Sequence, residues 1–97
     1  MPDYRLYRDD DLLGELTYTH DDWPWHFGTF TPEPAFEEIR PLFDRELELL
    51  NTGRMDEWEL AWGAVAALGL RLMPGAAGEA IEDFLLHVEG TQAWWRY

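Results

Sequence analysis

The sequence predicts an α+β fold: an antiparallel sheet of about five or six short strands with two central helices packed on one face. Three observations lead there. Apolar and polar residues alternate with a period of two near both ends of the chain. In the middle, from Phe36 to Leu68, apolar residues recur instead at helical spacings of three and four. Short clusters of Asp, Gly, Asn and Pro separate these segments, and none is long enough to be a linker. Residues 1–97 therefore read as a single domain.

Tyr4 to Arg8 reads as the first strand, with Tyr4 and Leu6 on one face and Arg5 and Tyr7 on the other. Asp9-Asp10-Asp11 is a turn. Leu12 to Thr19 is the second strand, with Leu12, Gly14, Leu16 and Tyr18 set against Leu13, Glu15 and Thr17. His20-Asp21-Asp22 is the next turn signal. Trp25 to Phe30 reads as a third strand, with Pro24 tolerated at its start and Gly28 marking a bulge or a close backbone approach. Thr31-Pro32-Glu33-Pro34 is loop.

Pro34 suits the first turn of a helix. Phe36, Ile39, Phe43, Leu47 and Leu50 form a helical stripe that keeps its phase across Pro41. That phase favours one helix kinked at Pro41 over a single turn followed by a new helix. Asn51-Thr52-Gly53 stops it. A second helix is expected to start with Asp56 as its N-cap. Glu59 would complete a D-x-x-E box there, with Met55 and Leu60 in the staple positions. Trp58, Ala61, Trp62, Val65 and Leu68 form its buried face. Gly69 ends it, Leu70 to Met73 can be a strand, and Ala76-Ala77-Gly78 is loop. Ile81 to Glu89 fits either helix or strand. The Glu89-Gly90 turn and the strand-prone Ala93 to Tyr97 favour a C-terminal hairpin.

Composition narrows the function classes. Twenty acidic residues against seven basic ones give a formal net charge of -13, above the magnitude of roughly 2–8 usual for a small soluble domain. This field repels nucleic acids and anionic membrane surfaces and attracts basic proteins. The same acidity also keeps an aromatic-rich domain in solution. Six tryptophans set the chain apart from a disordered acidic tail. There is no Cys, Ser or Lys. Disulfides, thiol nucleophiles, a Ser-His-Asp triad, Schiff-base lysines and the phosphate-binding G-x-x-x-x-G-K-[ST] loop are thereby excluded. Met1 to Arg5 lacks the basic-then-apolar pattern of a signal peptide. The longest uncharged stretch, Leu60 to Leu70, falls short of the ~20 residues that span a bilayer. The expectation is a cytoplasmic protein.

The run Trp23-Pro24-Trp25-x-x-Gly28-x-Phe30-x-Pro32-x-Pro34 is followed by Arg40-Pro41-Leu42-Phe43, Asp83-Phe84-Leu85-Leu86-His87 and Ala93-Trp94-Trp95-Arg96-Tyr97. Together these segments resemble a group of small uncharacterised bacterial proteins. The resemblance covers most of the chain. It implies a bacterial origin and carries no chemistry.

Three constellations could act. His20, Asp22 and His26 surround Trp23 and Trp25, and His with carboxylate ligands suits zinc or iron; His87 could join them. No regular element makes the two His converge, so neither a metal nor another cofactor is expected. Carboxylates recur in pairs, Glu37 with Glu38, Glu46 with Glu48, and Glu82 with Asp83. Asp83, between apolar neighbours, is the candidate for a half-buried acid, paired with Arg71 or Arg96. Finally, the aromatics outnumber what a small core hides. Trp94 and Trp95 are adjacent strand positions and point to opposite faces, so one of them is an exposed anchor.

The leading functional reading is a non-catalytic acidic binding module, immunity-, adaptor- or mimic-like. It would offer Trp23, Trp25, Trp94 or Trp95, rimmed by Glu37, Glu38 and Asp44, to a basic protein. Two alternatives stand beside it. One is a small metal-dependent or acid–base enzyme using the His20, Asp22 and His26 region. The other is a self-associating domain whose aromatic surface is a homodimer seam.

Overall fold

The computed structural model describes residues 2–75 and 78–97; the expected loop residues Ala76 and Ala77 lie outside them. The strands are β1 (Tyr4–Arg8), β2 (Asp11–Asp22), β3 (Trp25–Pro32), β4 (Leu70–Pro74), β5 (Leu85–Glu89) and β6 (Gln92–Arg96). They form one antiparallel sheet in the order β4-β1-β2-β3-β6-β5. A 3-10 turn (Pro34–Glu38) and two helices, α1 (Arg40–Asn51) and α2 (Met55–Ala66), lie between β3 and β4. The expected α+β architecture and its C-terminal hairpin are present, and Ile81–Glu89 resolves as a bridge at Ile81 followed by strand β5.

Two bulges adjust the alternation read from the sequence. Between β1 and β2 the register shifts, so that Leu6 faces Gly14 and Tyr7 faces Leu12. Leu13 is the extra residue. It therefore turns inward with Leu16, where uninterrupted alternation sets the two on opposite faces. A second shift falls between Tyr18 and His20, opposite Gly28 and Phe27. There a Cβ on Gly28 would overlap the Thr17 carbonyl oxygen, so the close approach inferred at Gly28 is present. His20, Asp21 and Asp22 are not a turn. They continue β2 by pairing with Phe27, His26 and Trp25, and the reversal is carried by Trp23 and Pro24, joined by a cis peptide bond.

Leu6, Leu16, Leu72, Phe30, Leu86, Val88, Ala93 and Trp95 form the buried face of the sheet, covered by Phe36, Ile39, Phe43 and Val65 from the helical segment. Pro41 does not kink a continuous helix. The 3-10 turn ends first, Ile39 caps α1, and Pro41 stands in its first turn, where a missing N–H costs no helical bond. The apolar phase persists because Phe36 lies against both Phe30 (4.7 Å between ring centres) and Phe43 (5.3 Å). Asp56 is not the cap of α2. The Trp58 N–H already bonds to the Arg54 carbonyl at 2.8 Å, which makes Arg54 the N-cap and places Asp56 inside the first turn.

Candidate functional site

Beyond the part covered by the helices, the core face of the sheet continues as an open cleft of about 680 Å³. Register explains who lines it. Tyr4 sits two positions before Leu6, Tyr18 two after Leu16, Tyr97 two after Trp95, and His26 pairs directly with Trp95. Each side chain thus shares the core face at the end where the helices no longer reach. The Tyr4 and Tyr97 hydroxyls are 2.7 Å apart, and the Tyr4 ring stands edge-on to Trp95. Asp21 faces His26 across the hairpin, with Oδ1 2.6 Å from Nδ1. Asp3 closes one side and accepts the Tyr18 backbone N–H at Oδ2 (2.7 Å).

The ionisation of the cleft follows from these contacts. The bond from His26 holds the Asp21 carboxyl below its usual range, so it is a carboxylate at neutral pH. Partial desolvation, then the neighbouring Asp21, raises Tyr18. Burial, then the bond to Tyr97, raises Tyr4 well above an ordinary phenol. Both stay neutral. The cleft is therefore a tyrosine-walled, acidic cavity in which the Asp21 contact fixes Nδ1 of His26 and leaves Nε2 without a hydrogen bond among the described residues.

A second polar constellation is enclosed. Glu46 of α1 is fully buried and His87 of β5 is 1% exposed. His87 Nδ1 lies 2.7 Å from Glu46 Oε1 and 3.1 Å from Oε2, and Trp58 Nε1 donates to Oε1 at 3.0 Å. The helix produces this meeting. Phe43 and Glu46 are three positions apart on α1. Phe43 joins the core on the side of Leu86 and Val88, whereas Glu46 reaches His87, which alternates to the other side of edge strand β5. Trp25, Trp94 and Trp62 pack around the imidazole at 5.3, 5.5 and 6.4 Å between ring centres. Both side chains are closed off from solvent and bonded to each other across the two elements, so the pair is a strut between helix and sheet.

The residues singled out from the sequence are dispersed. Trp23 projects from the β2–β3 hairpin with 90% of its surface exposed. Trp95 is core and Trp94 points to the opposite face, half-buried beside Phe27 and His87. Trp25 is half-buried beneath Arg96. Glu37, Glu38 and Asp44 are exposed, but Glu37 and Glu38 follow the end of β3 remote from Trp23, and Glu37 holds Arg40 at 2.8 Å. His20, Asp22 and His26 do not converge. His26 faces the cleft, while His20 stacks on Phe27 across the sheet, 5.0 Å between ring centres. Among the described residues no group of three His, Cys, Asp or Glu could hold a metal ion.

Asp83 is exposed rather than half-buried. The arginines expected to pair with it are engaged elsewhere: Arg71 bonds to the Asp9 carbonyl and covers Tyr7, and Arg96 covers Trp25. Among the described residues the buried acid is Glu46, which its sequence pairing with Glu48 does not distinguish from a surface acid. Asp3, Tyr4, Tyr18, Asp21 and Tyr97 were likewise missed as a group. Their signal was present in the alternation, which sets Tyr4 with Leu6 and Tyr18 with Leu16.

No family model, no curated protein and no solved structure matches the chain. Among the described residues no helix is long and apolar enough to cross a membrane.

Proposed function

We propose that the chain is a non-catalytic binding module of the bacterial cytoplasm that presents its acidic, aromatic hairpin end to a basic protein. The observation that carries this reading is Trp23. It is a large ring almost wholly in solvent, at the tip of a hairpin, preceded by Asp22 and by Asp21, which lines the tyrosine-walled cleft. Such a ring is a suitable hot-spot anchor, and a net charge of -13 steers a basic partner towards it. The acids that matter in this reading are those beside the hairpin, with Glu37 and Glu38 at the far end of β3 contributing only to the long-range field.

Surface binding kinetics on the captured basic partner test the reading. Trp23→Ala should speed dissociation by tenfold or more, about 1.4 kcal/mol or above, with melting unchanged. Asp22→Asn should slow association and flatten its salt dependence. Capture that survives Trp23→Ala overturns it.

A second reading has its own observation. Asp21 orients His26 and leaves Nε2 open in the cleft, the arrangement of a general base. Under that reading His26→Gln abolishes turnover of a small substrate and leaves protein capture intact; under the first it leaves no activity to lose.

A further inference from the structure

We propose that the tyrosine-walled cleft is a receptor for a guanidinium group, supplied by an arginine side chain of the basic partner. This rests on the binding reading above and names the group that the cleft takes.

The lining has the two chemical elements that recognise such a group. Tyr4, Tyr18 and Tyr97 provide aromatic faces around an open volume of about 680 Å³. Asp3 and Asp21 provide carboxylates at the same place, against the single imidazole of His26, and no arginine lines the cleft. Asp21 has Oδ1 on His26 and is also in hydrogen-bonding reach of the Tyr18 hydroxyl. Asp3 uses Oδ2 for the Tyr18 N–H and leaves Oδ1 without a hydrogen bond among the described residues. A guanidinium is planar, so it can stack on a tyrosine ring while its in-plane N–H groups reach a carboxylate. An ammonium is a compact, strongly hydrated charge and uses the ring faces less well.

The chain's own arginines show what its aromatic rings accept. Arg40 lies over Phe36 at 4.9 Å, Arg71 over Tyr7 at 5.0 Å and Arg96 over Trp25 at 5.2 Å from the ring centre. The three tyrosines of the cleft carry no such partner among the described residues. The pairing that the fold makes internally at Phe36, Tyr7 and Trp25 is left open in the cleft, beside the carboxylates of Asp3 and Asp21. The position is also right for a partner already held at the hairpin, because Asp21 lines the cleft two residues before Trp23. The volume exceeds that of a guanidinium and leaves room for the stem of the side chain.

The test uses the full chain and two probes of the same shape: N-acetyl-arginine methylamide and its neutral isostere, N-acetyl-citrulline methylamide. Ring resonances of Tyr4, Tyr18, Tyr97 and His26 are followed by NMR. The arginine probe should shift them saturably, with a midpoint on the order of 10 mM for one cation–π contact plus one carboxylate, and the citrulline probe should not. Asp3→Asn, which can still accept the Tyr18 N–H, and Tyr97→Leu, at a ring 60% exposed, should each weaken binding about fivefold or more with melting retained. Equal response to citrulline, or no saturable shift at these rings, overturns the proposal. Failure of the probe with Trp23-dependent capture intact removes the receptor and keeps the binding module. Arginine binding without any Trp23-dependent capture keeps the receptor as a small-ligand site and removes the protein-partner reading on which its assignment to a partner's side chain rests.

Discussion

The Glu46–His87 pair gives the sharpest test of how the helices are held to the sheet. The carboxylate is fully buried and its contacts are few: His87 Nδ1 at 2.7 and 3.1 Å and Trp58 Nε1 at 3.0 Å. His87→Leu keeps most of the volume but leaves the carboxylate with the indole as its remaining partner. Glu46→Met keeps the length of the side chain but strands the buried imidazole and takes the partner of the half-buried indole. Removing one member of a buried pair costs about 3–5 kcal/mol, because the other keeps its desolvation penalty without its partner. Replacing both by apolar groups removes that penalty, so the double variant should lose far less than the sum and recover towards the parent. The coupling energy of the cycle should then be at least about 2 kcal/mol. Urea unfolding with linear extrapolation reads all four proteins. A domain of this size has a total stability of about 5–15 kcal/mol, so either single variant should visibly lower the midpoint. Additive losses, or a single-variant loss under about 1 kcal/mol, would refute the argument: the carboxylate would then be solvated in a way its burial contradicts.

Other outcomes follow from the same geometry. Trp95→Ala should cost about 3–5 kcal/mol, against about 1–2 kcal/mol for half-buried Trp94→Ala, both read by thermal or urea unfolding. Pro41→Ala should lower stability by about 0.4–1 kcal/mol, since it loosens the unfolded chain and gains no helical bond at the first turn. Gly28→Ala should cost about 2 kcal/mol or more, because its Cβ meets a backbone carbonyl that cannot swing away. Asp21 contributes stability that is fully present above the ordinary carboxylate value of 3.8 and is lost as pH falls through its lowered folded value. The stability difference between the parent and Asp21→Asn should therefore shrink in strong acid as Asp21 takes up its proton, as followed by urea melts below the ordinary carboxylate range; a difference that grows there would reverse the assigned sign.

The sheet was legible in the sequence because strand alternation and turn residues are local signals. Tyr4–Arg8 and the strand ends near Leu70 and Arg96 agree with it closely. The misreadings share a cause: in each a contact, near or far along the chain, overrides what local composition suggests. Leu13 turns inward because one extra residue is accommodated opposite β1. Asp56 fails as a cap because the preceding turn, with Gly53 at φ 72°, brings the chain into helix at Arg54. His20 to Asp22 look like a turn by composition, yet their partners in β3 keep them extended. Glu46 looks like one of many surface acids on α1 until His87 and Trp58, forty-one and twelve residues away, are placed against it.

The cleft was half-legible for a related reason. Alternation alone assigns Tyr4, Tyr18 and Tyr97 to the core face, and nothing local says where the helical cover stops. That limit is set by the helical segment, whose 3-10 turn packs on β2 and whose α1 lies along β5. Where the cover is present, the large inward side chains are Leu, Val, Phe and Trp; where it ends, they are Tyr and His, with Asp21 beside them. A tyrosine there can rest its ring on Trp95 and keep its hydroxyl in the open, which a leucine cannot do. The change of residue type along a single face thus separates the interior from the open cleft. It also explains how a chain with so many aromatics can leave Trp23, Tyr18 and Tyr97 exposed at one end without exposing its core.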